Sequence, residues 1–353
     1  MENLQREGQV YHAPDVAYQW PTRSLAELGI NEIRLEQTCK FAELNASDSF
    51  LVFRDGHLTC ERYWTGKSQS SLQQTFSGTK SVFALLVGRL IEKGVLAGLE
   101  QPICELVEEL PPHLHQLTFE NVMAMQSGVV NSPEIEQLGQ TGMTQLEIAL
   151  TCEIEADPFK KYYYNNALYR LLFTALERAS NKSLEALTTE EVFEPLGFDR
   201  AYWIKLYASD GDNEVFRGYQ SICMTPRDFA KSAQIIIDEG RWCDETYLAS
   251  SYTKKLITVP GPEINPSFGL FHHLNAGHHY RNITVPDRLD RKLVPGAPDD
   301  TFLMFGGGGQ VTVGIPSLGL VIVRTGTGVS LYEPDNPVAV LVRLVVDAVA
   351  KTG

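Results

Sequence analysis

Hydrophobic and polar residues follow first a helical and then a strand-like pattern in the early part of the chain. Residues from about Ile33 to Leu44 have helical periodicity. The next segment, SFLVFRDGHLTCERYW, is apolar or alternating on both sides of Asp55-Gly56, a pair that tolerates the positive φ angles of a tight turn. This pattern predicts a helix followed by a two-stranded hairpin.

The middle of the chain is predicted to be helical, and its last part to be rich in strands. Helical periods and turn residues dominate from Ser77 to about Ile204. Strand patterns return in FGLFHHL, TFLMFG, QVTVGIP and LGLVIVRTG, and PVAVLVRLVVDAVAKTG predicts a closing amphipathic helix. Strands from both ends of the sequence therefore have to pair around an inserted helical region.

The chain is predicted to form one domain, residues 1–353, because no linker, low-complexity run or internal repeat divides it. Within it, we expect residues 1–76 and 215–353 to form a sheet subdomain and residues 77–214 to form a helical subdomain. The predicted fold class is α+β, with a mostly antiparallel sheet flanked by helices. We expect the active site in the cleft between the two subdomains.

Composition narrows the classes of partner and the compartment. The chain carries 30 Lys and Arg against 44 Asp and Glu, a formal charge of −14 that repels nucleic acid and anionic membrane surfaces. The sequence has neither an apolar leader region nor a long apolar span. Six scattered cysteines without C-x-x-C pairing argue against a zinc ribbon or a redox dithiol. We therefore expect a cytoplasmic protein that binds neither nucleic acid nor membranes.

The first candidate chemistry lies in TFSGTKSVFALLVGRLIEKGVL, where Ser77 and Lys80 have the S-x-x-K spacing of serine acyl-transfer enzymes. A lysine at i+3 shares a helical face with the serine, and a helix N-terminus favours negative charge that develops there. Ser251 and Lys254 have the same spacing but lie in a polar stretch, whereas an apolar stripe follows Ser77. The alternative for Ser77 is an ordinary helix-capping serine.

The second candidate is YYYNNALYRLL, which contains Tyr-x-Asn twice: Tyr163 with Asn165, and Tyr164 with Asn166. A tyrosine near a lysine can have its pKa lowered and then accept and return a hydroxyl proton. An asparagine both donates and accepts hydrogen bonds, so it can hold an ester or amide and orient a lysine. The alternative is an aromatic loop packed on the helix that follows.

Taken together, these motifs resemble the serine β-lactamase-like superfamily, which includes penicillin-binding proteins, D-aminopeptidases and many esterases. The resemblance is nearest to the 6-aminohexanoate-dimer-hydrolase-like and esterase-like branch. It covers most of the chain through ordered segments: SGTKS, LTFENVMAMQSG, YNNALYRLL, FEPLGF, MTPRDFAKSAQIIIDEGRW, PSFGLFHHLN and PGAPDDTFLMFGGGGQVTVGIPSLGLVIVRTG. It implies a β-lactamase-like fold, with Ser77 as nucleophile, Lys80 and Tyr164 as general base and acid, and Asn166 in substrate binding.

The third motif of that superfamily, K-T-G or H-x-G on a strand, is missing from its usual place. Lys351-Thr352-Gly353 follows the terminal helix and is interpreted as a coincidence. The counterpart by order is GGGGQ, in which Gly308, Gly309 and Gln310 are predicted to bind substrate because glycines allow close backbone approach; the alternative is a bulge or tight corner. The resemblance implies an oxyanion hole formed by the backbone N–H groups of Ser77 and a residue near Gln310. The absence of a cationic or imidazole group here favours uncharged esters or amides.

Two further groups of residues suggest other chemistry less strongly. The first group is a histidine cluster: His272, His273, His278 and His279. Such a cluster could bind zinc or copper, but no cysteine or acidic pair accompanies it. Site lining or a hairpin surface is therefore the preferred interpretation. The acidic pairs Glu190-Glu191 and Asp299-Asp300 are interpreted as solvated faces rather than glycosidase carboxylates. Neither a metal nor an organic cofactor is expected.

The predicted function is hydrolysis of a small ester or amide through an acyl-enzyme on Ser77. A catalytically silent ligand-binding or regulatory protein on the same scaffold is the alternative, and a transacylase that uses an alcohol or amine acceptor is a third. The expected partner is a small molecule. The sequence leaves the oligomeric state, the substrate and the immediate base open.

Overall fold

The computed structural model describes residues 2–14, 17–210, 213–281, 288–333 and 335–349. These residues form ten α-helices, fifteen β-strands and several short 3₁₀ turns. The helices are α1 (Glu32–Leu44), α2 (Thr79–Glu92), α3 (Phe119–Met123), α4 (Pro133–Leu138), α5 (Gln145–Leu150), α6 (Asn166–Ser180), α7 (Leu184–Thr188), α8 (Pro226–Ile237), α9 (Ser250–Leu256) and α10 (Pro337–Ala348). The strands are β1 (Glu2–Glu7), β2 (Tyr11–His12), β3 (Ser47–Arg54), β4 (His57–Tyr63), β5 (Gln73–Gln74), β6 (Arg200–Asp210), β7 (Asn213–Met224), β8 (Arg241–Trp242), β9 (Glu245–Thr246), β10 (His273–Leu274), β11 (Tyr280–Arg281), β12 (Arg288–Leu289), β13 (Phe302–Gly306), β14 (Gln310–Ile315) and β15 (Leu320–Gly326).

The central sheet has six antiparallel strands in the order β10-β13-β14-β15-β3-β4. Strand β15 pairs with β3, so strands from the two ends of the sequence meet as predicted. The run Phe50–Phe53 is apolar throughout because both faces of the sheet are covered. Phe50 and Val52 pack with α1 and α10, whereas Leu51 and Phe53 belong to the core that contains α2 and α8.

The predicted hairpin and the two terminal helices are confirmed. Asp55 and Gly56, with φ of 48° and 73°, form the two-residue turn between β3 and β4. Helix α1 begins after Asn31, whose side chain accepts a hydrogen bond from the Arg34 amide, and α10 covers most of the predicted closing helix.

The predicted strand across FGLFHHL is wrong over most of its length. Only His273 and Leu274 pair with β13. Phe271 has a φ of 60°, in the left-handed region, and the Gly269 amide donates to the His272 carbonyl, so the chain turns before the strand begins. The apolar run therefore reflects burial of a turn.

A second sheet, which the hydrophobic pattern did not indicate, lies beside the helical region. Its path is β1-β6-β7-β5, with β2 also paired to β6. Strand β6 lies inside the range predicted to be helical, and β7 crosses the expected boundary between residues 214 and 215. The division into residues 1–76, 77–214 and 215–353 stays a prediction.

Helices α2 and α6 are held together by aromatic packing in the core. The Phe83 ring contacts the rings of Tyr169 and Phe173 at centroid distances of 5.5 and 5.2 Å. Most residues of α2 are buried, which explains its apolar stripe. This packing fixes the first turn of α2 relative to the first turn of α6.

None of the helices in the described ranges combines the length and apolar character needed to cross a bilayer. All six cysteines are free thiols, and the Cys39 and Cys60 sulfur atoms lie 3.2 Å apart.

A buried arginine, Arg324 on β15, ties the sheet to two loops. Its guanidinium makes six hydrogen bonds, all to neutral oxygen atoms: the Ser47 hydroxyl and the carbonyls of Gly308, Gly309, Asn45, Ala46 and Thr327. Burial lowers the pKa of Arg324 to about 10, so the side chain is still protonated at neutral pH.

We predict that Arg324→Lys lowers the free energy of unfolding by roughly 2–4 kcal/mol, because an ammonium has three donors and leaves buried carbonyls unpaired. Urea denaturation measures the change. Arg62→Lys is the control, since Arg62 is about half exposed and pairs with exposed Glu36; we expect a loss below about 1 kcal/mol. Equal losses in the two variants would contradict the role given to Arg324.

Candidate active site

Ser77 lies in a strained turn between a strand and a helix. It is the middle residue of a 3₁₀ turn, Phe76–Gly78, that follows β5 and leads into α2. Phe76 has a φ of 48°, in the left-handed region that non-glycine residues rarely adopt. The Thr75 amide and hydroxyl both donate to the Ile222 carbonyl at 2.9 Å, which anchors the turn to β7.

Lys80, in the first turn of α2, connects Ser77 to helix α6. Its Nζ donates to Ser77 Oγ at 3.3 Å and to Asn166 Oδ1 at 2.9 Å. Asn166 is the first residue of α6, and Lys80 is only 4 % exposed. The structure therefore brings together three of the residues that the sequence patterns selected.

Tyr164 also contacts Lys80, and this contact distinguishes the two Tyr-x-Asn pairs. The Lys80 ammonium lies 4.9 Å from the centroid of the Tyr164 ring. In the other pair, the Tyr163 hydroxyl donates to Glu155, and the Asn165 side chain caps α6 by accepting from the Leu168 amide. Tyr164 and Asn166 therefore lie at Lys80, whereas Tyr163 and Asn165 make structural contacts.

Burial shifts the pKa values of Lys80 and Tyr164 in opposite directions. Burial, reinforced by the positive charge of Arg170 and opposed by Glu136, lowers the pKa of Lys80 to about 7. Burial raises the pKa of Tyr164 to about 12, although a hydrogen bond with Ser77 acts in the opposite direction. Near neutral pH, a large share of Lys80 is therefore a neutral amine, while Tyr164 is a protonated phenol.

The glycine run packs against the Ser77 turn. Strand β13 ends at Gly306, a 3₁₀ turn covers Gly307–Gly309, and β14 begins at Gln310. A Cβ atom on Gly306 would lie 1.9 Å from the Thr75 carbonyl oxygen, so only glycine permits this backbone approach. The run is thus a tight corner and also a close contact with the segment that carries Ser77.

Gln310 uses its side chain within the sheet. Its amide group exchanges hydrogen bonds with the backbone of Gly326, and the side chain is buried. Gly308 and Gly309 have positive φ angles of 76° and 94°, and their carbonyls accept from Arg324. The substrate-binding roles predicted for Gly308, Gly309 and Gln310, and the oxyanion hole, stay predictions.

A cavity of about 130 Å³ opens beside Ser77. The described residues that line it come from the Ser77 turn, α2, α6 and β7: Phe76, Ser77, Lys80, Asn166, Tyr169, Arg170, Gln220 and Ser221. Five of them had not been selected from the sequence. Arg170 follows Asn166 by four residues, so helical periodicity could have placed it on the same face, but the pairing of β5 with β7 that brings in Gln220 and Ser221 had no local signal.

A comparison of sequences decides the family. Residues 40–346 match the sequence model of the Beta-lactamase family, which is most of the chain. The chain belongs to the Beta-lactamase family. No curated protein sequence matches it.

Several solved structures have the same fold. A protein described as a 6-aminohexanoate-dimer hydrolase from Bacillus anthracis matches with a TM-score of 0.71 and 19 % identity, over 98 % of this chain and 90 % of that one. EstCE1, described as a hydrolase with promiscuous acyltransferase activity, matches with a TM-score of 0.65 and 14 % identity, over 92 % and 98 %. The simvastatin synthase LovD from Aspergillus terreus gives a TM-score of 0.65 and 14 % identity, over 93 % and 99 %. The predicted α+β, β-lactamase-like fold and the resemblance to this superfamily are confirmed.

The histidine cluster comprises two buried residues, the exposed His278 and the partly buried His279. His272 and His273 are buried rather than on a hairpin surface, and burial lowers their pKa values to about 4 and about 3. The positive charge of Lys80 also lowers the pKa of His273, whose ring contacts Phe268 and Phe305. Among the described residues, no group of three or more His, Cys, Asp or Glu side chains could hold a metal ion.

The remaining sequence candidates have structural partners. Glu190 pairs with Lys182, Asp299 pairs with Lys292, and Asp300 accepts from Ser317. Glu191 is buried against Lys93 and Arg89, so its interpretation as part of a solvated face is wrong. In the second S-x-x-K match, Lys254 pairs with Glu239 on the surface. Lys351-Thr352-Gly353 lies outside the described residues.

We predict that the rate of Ser77 labelling by a fluorophosphonate rises about tenfold per pH unit below pH 6 and levels off above pH 8. The reason is that only the neutral amine accepts a proton, and the pKa of Lys80 is lowered to about 7. Lys80→Met lacks this amine and is expected to lose the acidic limb. A rate that does not change between pH 5 and 9 would contradict the prediction.

We predict that Gly306→Ala destabilises the protein by about 1–3 kcal/mol and slows labelling of Ser77, because the added methyl group collides with the Thr75 carbonyl. Gly307→Ala is the matched control, since its Cβ would lie 3.6 Å from the nearest atom, on the Phe76 ring. Denaturant unfolding and labelling rates are measured for both. Similar behaviour of the two variants would show that the close approach does not matter.

Proposed function

We propose that the protein is a serine hydrolase that cleaves a small ester or amide through an acyl-enzyme on Ser77. The observation that carries the proposal is the position of Lys80. Its Nζ contacts both Ser77 Oγ and Asn166 Oδ1 while the side chain is buried. Lys80 forms no ion pair with any described residue, so burial is free to lower its pKa into the range of a general base.

In the proposed acylation step, Ser77 Oγ attacks the substrate carbonyl and transfers its proton to Lys80. Lys80 is the acceptor because a large share of it is neutral near pH 7, whereas the raised pKa of Tyr164 keeps its phenol protonated. The Oγ–C bond forms, the bond to the leaving group breaks, and the leaving group takes a proton from the Tyr164 phenol, which Lys80 reprotonates. Asn166 holds the lysine in place for both transfers.

The same proposal assigns the oxyanion to the backbone N–H groups of Ser77 and Gln310. The close contact of Gly306 with Thr75 supports it, because this contact brings the start of β14 against the turn that carries Ser77. Water then attacks the acyl-enzyme and gives a proton to Lys80, which releases the acid and restores Ser77.

The cavity supports a short acyl group. Its volume of about 130 Å³ is well below the roughly 300–1,000 Å³ that is typical of sites for drug-sized ligands.

A cytoplasmic location, which the six free cysteines support, belongs to the same proposal, as does the absence of nucleic-acid and membrane partners.

The test is intact-mass analysis after incubation with a fluorophosphonate, followed by peptide mapping. We expect one label per chain, on Ser77, that is lost in Ser77→Ala, and we expect Lys80→Met to label about 10²–10⁴-fold more slowly. Ser251→Ala is the matched control because Ser251 belongs to the other S-x-x-K match, and its labelling should be unchanged. A folded protein that takes up no label would instead be the catalytically silent binding protein.

A further inference from the structure

Arg170 places a cation at the wall of the candidate active site. It lies on α6, four residues after Asn166, and lines the cavity together with Ser77 and Lys80. Its charge is close enough to contribute to the lowered pKa of Lys80. The segment that corresponds to the third motif, GGGGQ, has no cation, whereas the structure supplies one from a helix.

The guanidinium of Arg170 has donors that the protein leaves unused. None of the described residues forms a hydrogen bond or ion pair with it; Glu136 acts on it through charge alone. Two other arginines of this region are fully engaged: Arg178, also on α6, pairs with Glu109 through two nitrogen atoms, and Arg217 donates to three oxygen atoms. Arg170 is only partly buried, so its free donors are open to the cavity that it lines, and a free guanidinium at a cavity wall fits an anionic ligand that pairs with it.

Other polar groups on the same wall also have no partner. The Tyr169 hydroxyl and the Gln220 Oε1 atom are buried without a hydrogen bond to any described residue. The wall therefore combines the Arg170 guanidinium with neutral polar groups and with Lys80, a large share of which is neutral near pH 7. A carboxylate fits this set because its two oxygen atoms accept a bidentate pair from a guanidinium and a further bond from a hydroxyl.

In the proposed mechanism, the cavity is assigned to the acyl side of the substrate. Tyr164, which donates to the leaving group in the proposed mechanism, is not among the described residues that line it. Ser77 and Lys80 do line it, so a group that fills the cavity is attached to the carbonyl that Ser77 attacks.

We propose that Arg170 binds a second carboxylate on the acyl chain, so that the substrates are monoesters or monoamides of short dicarboxylic acids. This inference rests on the proposed function and names its substrate class. The reaction consumes one water and yields the dicarboxylate and the free alcohol or amine. The ester or amide bond breaks, and the transient bond is that of Ser77 Oγ to the acyl carbon.

The test compares two esters of equal chain length, monophenyl glutarate and phenyl pentanoate, by phenol release with the enzyme-free rate subtracted. We expect the wild type to favour the anionic ester in kcat/KM, and Arg170→Gln to lower the ratio of anionic to neutral kcat/KM by roughly 10- to 100-fold. A change in the pKa of Lys80 affects both esters alike, so the ratio isolates recognition of the carboxylate. Arg170→Lys should restore part of the ratio, and Arg178→Gln, the matched control, should leave it unchanged.

The outcomes separate this inference from the proposed function. Labelling of Ser77 with an unchanged ester ratio in folded Arg170→Gln would overturn the inference and leave the hydrolase intact. A second measurement is glutarate binding by calorimetry to Ser77→Ala, with and without Arg170→Gln. Binding that disappears with Arg170 supports the carboxylate site even if no ester is cleaved, whereas equal binding or no binding in both variants counts against it.

Discussion

The pairing of β3 with β15 is the interaction on which the rest of the structure depends. It joins strands far apart in the sequence, as in the 2.7 Å hydrogen bond between the hydroxyls of Ser49 and Thr325, which are 276 positions apart. Once the sheet has closed in this way, β13 and β14 lie beside the segment that leads into α2. Ser77 and the glycine corner meet only because of that closure, so local sequence determines neither position alone.

In the proposed mechanism, Lys80 can act as a base because its hydrogen-bond and ring contacts with the described residues are all uncharged. Its partners are a hydroxyl, an amide oxygen and two aromatic rings, all of them neutral. A carboxylate in the same position would stabilise the ammonium and raise its pKa. Burying an amine without an anionic partner costs free energy. In the proposed mechanism, the same burial lowers the pKa of Lys80, so its amine can act as a base near neutral pH.

Features that depend on neighbouring residues could be predicted from the sequence, whereas features that depend on contacts between distant parts of the chain could not. The Asp55-Gly56 hairpin and α1 were predicted correctly, because turn chemistry and periodicity are local signals. The S-x-x-K spacing correctly placed Lys80 beside Ser77, since both lie within one turn of chain. The Tyr164 register came from the family resemblance, because periodicity alone does not separate two overlapping Tyr-x-Asn pairs.

The failures have a common physical cause. The second sheet depends on pairing between the N-terminal strands and β6, and FGLFHHL looked like a strand because a buried turn is as apolar as a buried strand. Gln220 and Ser221 reach the cavity only through that second sheet. Arg170 had a detectable signal in its spacing from Asn166, but its lack of a partner is a property of the folded structure.

The Asn165 cap at the start of α6 has a consequence for the whole site. By accepting from the Leu168 amide it determines the residue at which the helix begins, and its side chain is also tied to the Val130 carbonyl. Residues three and four positions apart lie on one face of a helix, so Asn166, Tyr169 and Arg170 reach the same cavity only while the first turn of α6 stays helical. Asn165 does not line the cavity, but its cap stabilises the turn that carries this wall.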